Sequence, residues 1–286
     1  MPAQEWIAAD ARNAEVLLPY LNGEDLNSRP DASASRWVID FGTKSREEAA
    51  KYLLPFHRVL HYVKPQRDKV SIDYRRENWW LFAAWAPAMR RAIADLSEVL
   101  VIARVSKTVM PLRVPTGQVL SDACVVFASD DYSDQAVLSS SLHQAWAITY
   151  GSTLETRVRY TPSDVFETFP RPRSTVGLGT VGATLDGTRQ EIMLRRSLGL
   201  TKLYNLVNDP DVLDAADADV AHLRAIHREL DEAVVASYGW GDLRLDYGFY
   251  SYRGARRWAC SEAVMLEILD RLLEENHHRA NGKQNS

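Results

Sequence analysis

Cysteine is scarce. Only Cys124 and Cys260 occur in 286 residues, too few for a disulfide framework or a cysteine-based zinc site, and a reducing cytoplasm is the expected compartment. Long apolar runs are also missing, and none approaches the roughly 18 residues that suggest a membrane span. The opening MPAQEWIAADARNAEV has no basic stretch followed by an apolar core, so it does not read as a secretory signal. No internal repeat is evident, and only the closing residues 280–286 read as a disordered tail. What is present is the composition of an ordinary globular protein, long enough for one large domain or two small ones.

The net charge of −4 argues weakly against a polyanionic partner, but the average hides a split. Residues 51–116 carry twelve Lys and Arg against five acids, whereas residues 205–235 carry two Arg against eight acids. A basic middle and an acidic later stretch point to one face for a polyanion and another for something else.

Patterning gives an α+β chain. PYLNGEDLNSRPD (19–31) is rich in turn formers, and WVIDF (37–41) reads as a short strand. Apolar residues recur at helical spacing over 46–63, with Pro55 expected to kink or divide that helix. Residues 64–76 read as a basic, irregular stretch, and Pro87 suits the first turn of a helix running to about Leu96. VLVIARV (99–105) and VLSDACVVFA (119–128) are the clearest strands. Ser133 is placed to cap a helix that Gly151 ends. The Pro- and Gly-rich stretch 160–188 reads as a boundary, and beyond it the chain reads as helical. One stripe carries Leu223, Ile226, Leu230, Ala233, Val234 and Ser237 and is closed by Gly239. A last helix after Ser261 turns Met265, Leu269 and Leu272 inward. The expected division is a recognition half with a mixed or antiparallel sheet (1–170), a linker (171–190), and a helical half (191–279).

Several short motifs invite chemistry and lack its context. GLGTVG (177–182) matches the dinucleotide fingerprint, but the preceding ETFPRPRST cannot be a central strand, so a flexible linker is the expectation. His57 and His61 have the i, i+4 spacing of metal ligands without a third ligand, so a structural or surface pair holding no metal is expected. Ser139–Ser141 before His143 lack a nucleophile elbow. NDPDV (208–212) lacks the paired prolines and the aromatic of an amino-methyltransferase motif. No catalytic or cofactor-binding residue is expected in this chain.

A basic and aromatic series is more informative. Lys64, Arg67, Lys69, Arg75 and Arg76 lead into Trp79 and Trp80. Arg104, Lys107 and Arg113 flank the turn after the first clear strand, and Arg157, Arg159 and Tyr160 follow Gly151. Lys and Arg bind phosphates, and Arg also reads guanine edges bidentately. The same residues would equally make a solvated basic face over a core holding Trp79 and Trp80.

Read together, the strings PYLNGEDLNSRPDASASRWVIDF, VKPQRD, ENWWLFA and SSSLHQAWAITYGSTLETRVRYTPSDVFETFPRP resemble the target-recognition region of MmeI-like DNA methyltransferases. These are large restriction-modification and phage-defence enzymes. LTKLYNLVNDPDV, LRAIHRELDEAVVASYGWGDL and the closing helix resemble the helical tail of the same family. The resemblance spans roughly residues 17–279 and implies adenine N6 methylation with S-adenosylmethionine. The family's Gly-rich cofactor loop and N-P-P-Y-type motif do not occur here. The resemblance therefore implies a non-catalytic recognition part. It would bind double-stranded DNA through the eleven residues named above; either the gene is split, with cofactor and chemistry in a catalytic polypeptide supplied in trans, or the chain is a remnant or a fragment. Lys64, Arg67 and Lys69 would track phosphates, and Arg157 and Arg159, alternating in an extended stretch, would read bases. The acidic helical half would pack on that polypeptide or brace the recognition fold. Two other readings stand beside this one: a stand-alone DNA-binding regulator, and a metal-dependent hydrolase using His57 and His61.

Overall fold

The computed structural model describes residues 2–83, 86–154, 157–173, 175–252 and 255–284. It is α+β, with small mixed and antiparallel sheets before residue 160 and mainly helices after it. The chain divides into two compact units that interleave in sequence: residues 1–22, 34–97 and 115–122 form one, and residues 23–33, 98–114 and 123–286 the other. The second unit thus takes strands from the expected recognition half together with the whole helical half.

In the first unit, α1 (Ala3–Ala9) precedes strand β1 (Leu17–Leu21), which pairs antiparallel with β2 (Arg36–Ile39) and parallel with β6 (Val119–Leu120). β1 overlaps the start of the segment 19–31 read as a turn; Pro19 is accommodated within this short strand. Helix α3 (Arg46–Ala49) starts at a capping box, with Glu48 N–H donating to Ser45 Oγ and Ser45 N–H to the Glu48 carboxylate. The chain breaks at 50–52, and Pro55 sits in the first turn of α4 (Leu53–Arg58) rather than dividing a helix. A missing N–H costs nothing there, because first-turn N–H groups have no helical acceptor. A π-helical turn over 59–63 runs into α5 (Lys64–Arg67), followed by α6 (Asp73–Glu77) and α7 (Pro87–Ala92). The basic stretch 64–76 is therefore helical at both ends. Val16, Phe41, Ala49, Tyr52, Phe56, Val59 and Trp79 make the core of this unit.

The second unit is built on β5 (Leu112–Pro115), β3 (Glu98–Ala103) and β7 (Cys124–Phe127), in that order. The central β3 buries Val99 through Ala103 on both faces. The string 119–128 is thus two strands in different sheets. A further sheet joins β4 (Val105–Ser106), β9 (Arg157–Arg159) and β8 (Ser152–Leu154). Helix α2 (Gly23–Ser28) packs by β3.

The helix expected after Ser133 is capped by Asp131 and is two helices, α8 (Tyr132–Ser139) and α9 (Ser141–Tyr150). Ser140 divides them: its Oγ accepts from His143 N–H and caps α9. Most of the expected linker (171–190) falls in α10 (Leu178–Arg196), which lies against α8 and is followed by α11 (Leu200–Val207) and α12 (Ala218–Ser237). The apolar stripe of α12 faces inward as patterned. The helical half also contains a hairpin, β10 (Tyr247–Tyr252) against β11 (Ala255–Cys260), before α13 (Glu262–Gln284). α13 runs into the expected tail as far as 284, and Ile268 is buried where Leu269 is half-exposed.

The acidic stretch is largely engaged within this unit. Buried Arg224 donates to the carbonyls of Val207, Val212 and Asp209 and pairs with Asp214, tying down the loop that holds NDPDV. Arg196 and Arg195 pair with Asp217 and Asp219 at the start of α12. No described helix is long and apolar enough to cross a membrane.

Candidate nucleic-acid interface

The eleven candidate residues separate by unit. In the first unit, Arg67 at the end of α5 and Arg75 in α6 line one cleft of about 230 Å³ together with Tyr74, Asn78, Gly42 and Thr43. Neither arginine forms an ion pair among the described residues. Burial, and then the neighbouring Arg75 charge, pull the Arg67 guanidinium below its ordinary pKa. Two cations held together without a carboxylate raise the local potential, which an anion relieves. Exposed Lys69 forms no ion pair among the described residues. Lys64 pairs with Asp68 at 2.8 Å, and Arg76 with Asp73. Both are short-range pairs on half-exposed side chains, worth little and easily exchanged for a phosphate.

In the second unit, the antiparallel pairing of β4 with β9 sets Val105 across from Arg159 and Ser106 across from Val158. Arg104, Lys107, Arg157 and Arg159 thereby come to one small sheet. Val158 is buried between half-buried Arg157 and exposed Arg159, so the alternation read from the sequence holds and both arginines share a face. Arg159 forms no ion pair with Asp164 or Glu167; Glu155 lies outside the described residues.

Two candidates belong to the interior. Tyr160 is 1% exposed, its hydroxyl 2.9 Å from His143 Nε2 and its ring edge-on to Phe127. Burial raises its pKa and lowers that of His143 to about 4, so both rings are neutral core members. The Arg113 side chain is only 8% exposed. It lies between Glu98 and Asp186, donates to the Asp130 carbonyl, and stacks on Tyr132 at 4.0 Å. A guanidinium so enclosed staples the unit and is not presented to a ligand.

The other motifs also resolve. GLGTVG follows no strand among the described residues and opens α10. A Cβ on Gly182 would meet the Tyr132 carbonyl oxygen at 2.0 Å, so this glycine serves helix packing and does not fit a phosphate or methionine-cofactor loop. Ser139 and Ser140 are buried, and Ser141 N–H donates to Asp231 at 2.7 Å. His57 and His61 line an apolar groove with Trp6, Leu54, Leu60 and Tyr62. Among the described residues, no three His, Cys, Asp or Glu side chains cluster at metal-binding distance. The sequence reading missed Tyr74 and Asn78 in the Arg67 cleft; the string DYRREN, alternating charge with an aromatic, was the available signal.

A family model described as "MmeI, target recognition domain" matches residues 2–173. The chain belongs to that family. No curated protein matches it. Among solved structures, one titled "Structure of Type IIL restriction-modification enzyme MmeI in complex with DNA has implications for engineering of new specificities" shares its fold. The TM-score is 0.66 at 18% identity, over 97% of this chain. This MmeI-family chain spans about a third (33%) of that protein.

Proposed function

We propose that this MmeI-family chain is the sequence-specific DNA-recognition part of an S-adenosylmethionine-dependent adenine-N6 methyltransferase of restriction-modification or phage defence. Membership of the target-recognition family over residues 2–173 carries the reading. The cofactor and the methyl transfer belong to a catalytic polypeptide supplied in trans. Lys64, Arg67, Lys69, Arg75 and Arg76 hold duplex phosphates. Arg104, Lys107, Arg157 and Arg159 form a second contact, in which the paired arginines of β9 read base edges. Arg67 and Arg75 support the phosphate role best, because they share a cleft and pair with no carboxylate among the described residues. The helical half braces the recognition fold, with Arg195, Arg196 and Arg224 binding its acidic residues internally. Both cysteines are buried, and a reducing cytoplasm is the compartment this reading assigns. Duplex binding measured with and without the catalytic polypeptide, against the cognate site and single-base variants, tests the assignment. Binding with no preference for any site would refute it.

A further inference from the structure

A second cavity lies in the second unit, and none of the eleven candidate residues lines it. It is bounded by α9, α11, α12 and the β10–β11 hairpin. It measures about 80 Å³ on the scale on which one water needs about 10–15 Å³. Displacing that solvent makes room for one heteroaromatic ring system.

Its lining is chemically uneven. Met110, Ile148 and Val207 are apolar, while Tyr247, Tyr250 and Trp258 supply aromatic wall. The hairpin register places Tyr250 directly across from Arg257. Gly248 lets the Tyr250 ring lie along the strand, since a Cβ there would approach that ring to 3.1 Å. The inner polar groups carry no charge: burial holds His227 neutral, with a pKa of about 3, and pushes the Cys260 thiol up to about 12. His227 Nε2 is 2.7 Å from the Tyr204 hydroxyl. Ser141 and Gln144 add neutral hydrogen-bonding groups, and Glu262 is exposed at the rim.

Arg257 is the exception. It is half-buried, and burial lowers its pKa. Its single side-chain hydrogen bond is a long one, 3.4 Å from Nη1 to the Lys107 carbonyl, and it forms no ion pair among the described residues. Arg224, by contrast, stacks on Trp258 and is fully engaged by carbonyls and Asp214. A desolvated guanidinium without a carboxylate calls for an anion, and its planar fork matches phosphate bidentately. Lys107, whose carbonyl accepts that long bond, is exposed and lies one residue before the pocket-lining Thr108.

We propose that this pocket binds a nucleotide, with its base among Tyr247, Tyr250 and Trp258 and its phosphate on Arg257. The ligand is either a free mononucleotide or a nucleotide turned out of a DNA strand; both present the same ring and phosphate. The proposal does not depend on the duplex-binding assignment of Arg67 and Arg75, which are in the other unit.

Calorimetric titration of the full chain tests it with the four deoxynucleoside monophosphates, deoxyadenosine and inorganic phosphate. At least one monophosphate should bind one-to-one, and its nucleoside or phosphate alone at least about ten-fold more weakly. Arg257→Ala should weaken the monophosphate by about ten-fold or more, the loss of a charge-assisted hydrogen bond. Tyr250→Ala should weaken both the nucleotide and the nucleoside. A single-stranded oligonucleotide that displaces the monophosphate identifies a strand nucleotide as the ligand, and one that does not identifies a free nucleotide. No binding of any monophosphate at millimolar concentration would overturn the proposal, as would unchanged affinity in a folded Arg257→Ala protein. Salt-dependent duplex binding on Arg67 and Arg75 variants reads the other site, so failure of one assignment leaves the other measurable.

Discussion

Helix α10 offers a controlled test of how the second unit is packed. Two of its three glycines have opposite surroundings. A Cβ on Gly182 would lie 2.0 Å from the Tyr132 carbonyl oxygen and 2.9 Å from its carbon, both backbone atoms of α8 that cannot rotate away. A Cβ on Gly187 meets nothing within 4 Å. Ordinary contact would require α8 and α10 to part by more than an ångström at Gly182. Overpacking a core costs about 1–3 kcal/mol, and a backbone clash lies at or beyond the top of that range. Against it stands the gain of about 1 kcal/mol when Ala replaces Gly inside a helix. Gly182→Ala should therefore lose about 2 kcal/mol or more, whereas Gly187→Ala should gain about 0.5–1 kcal/mol. Urea unfolding followed by circular dichroism would read both as midpoint shifts of opposite sign at constant slope. If Gly182→Ala stabilises the protein as much as Gly187→Ala, the helices do not approach as described and the reasoning fails.

Three further outcomes are expected. Burial raises the pKa of Asp231 to about 6, above its unfolded value, so its contribution is intact below about pH 4. Stability is then lost as pH rises to 6, by about 3 kcal/mol. Asp231→Asn should flatten that slope in denaturant midpoints taken from pH 4 to 7, and an unaltered slope would exclude Asp231 as its source. The isolated chain should give no one-to-one calorimetric binding of S-adenosylmethionine; a stoichiometric site would contradict the assignment of cofactor to a separate polypeptide. His57 and His61 should hold no metal, and stoichiometric zinc lost in either His→Ala variant would reverse that.

Much of the fold was legible where the signal is local. The stripe of α12 repeats at helical spacing over about four turns, and Leu223, Ile226, Leu230 and Val234 are all buried. β3 is an unbroken apolar run because both of its faces are covered. The split of 119–128 was hidden because its two ends pair with different strands, β1 and β3, far away in sequence. The β10–β11 hairpin went unread although Tyr247, Phe249 and Trp258 alternate along it. In the site, the local pairings of Lys64 with Asp68 and Arg76 with Asp73 are visible as i, i+4 and i, i+3 spacings. The enclosure of Arg113 is not, since Glu98 and Asp186 reach it only through tertiary packing, and Tyr160 is claimed by His143 in the same way. Charge in a sequence marks a candidate contact; burial and partners decide whether it is available.

The central claim is that this chain grips DNA through cations that include Arg67 and Arg75, which form no ion pair among the described residues, and the salt dependence of duplex binding by an Arg67→Ala/Arg75→Ala variant tests it most directly. With the catalytic polypeptide present, affinity for cognate and non-cognate duplexes should fall alike, and the slope of log affinity against log salt should drop by about two units, one for each lost phosphate contact. In the same assay Arg159→Ala should cost about 1–3 kcal/mol at one base position and relax preference there alone. An unchanged affinity and slope in a folded double variant would contradict the account.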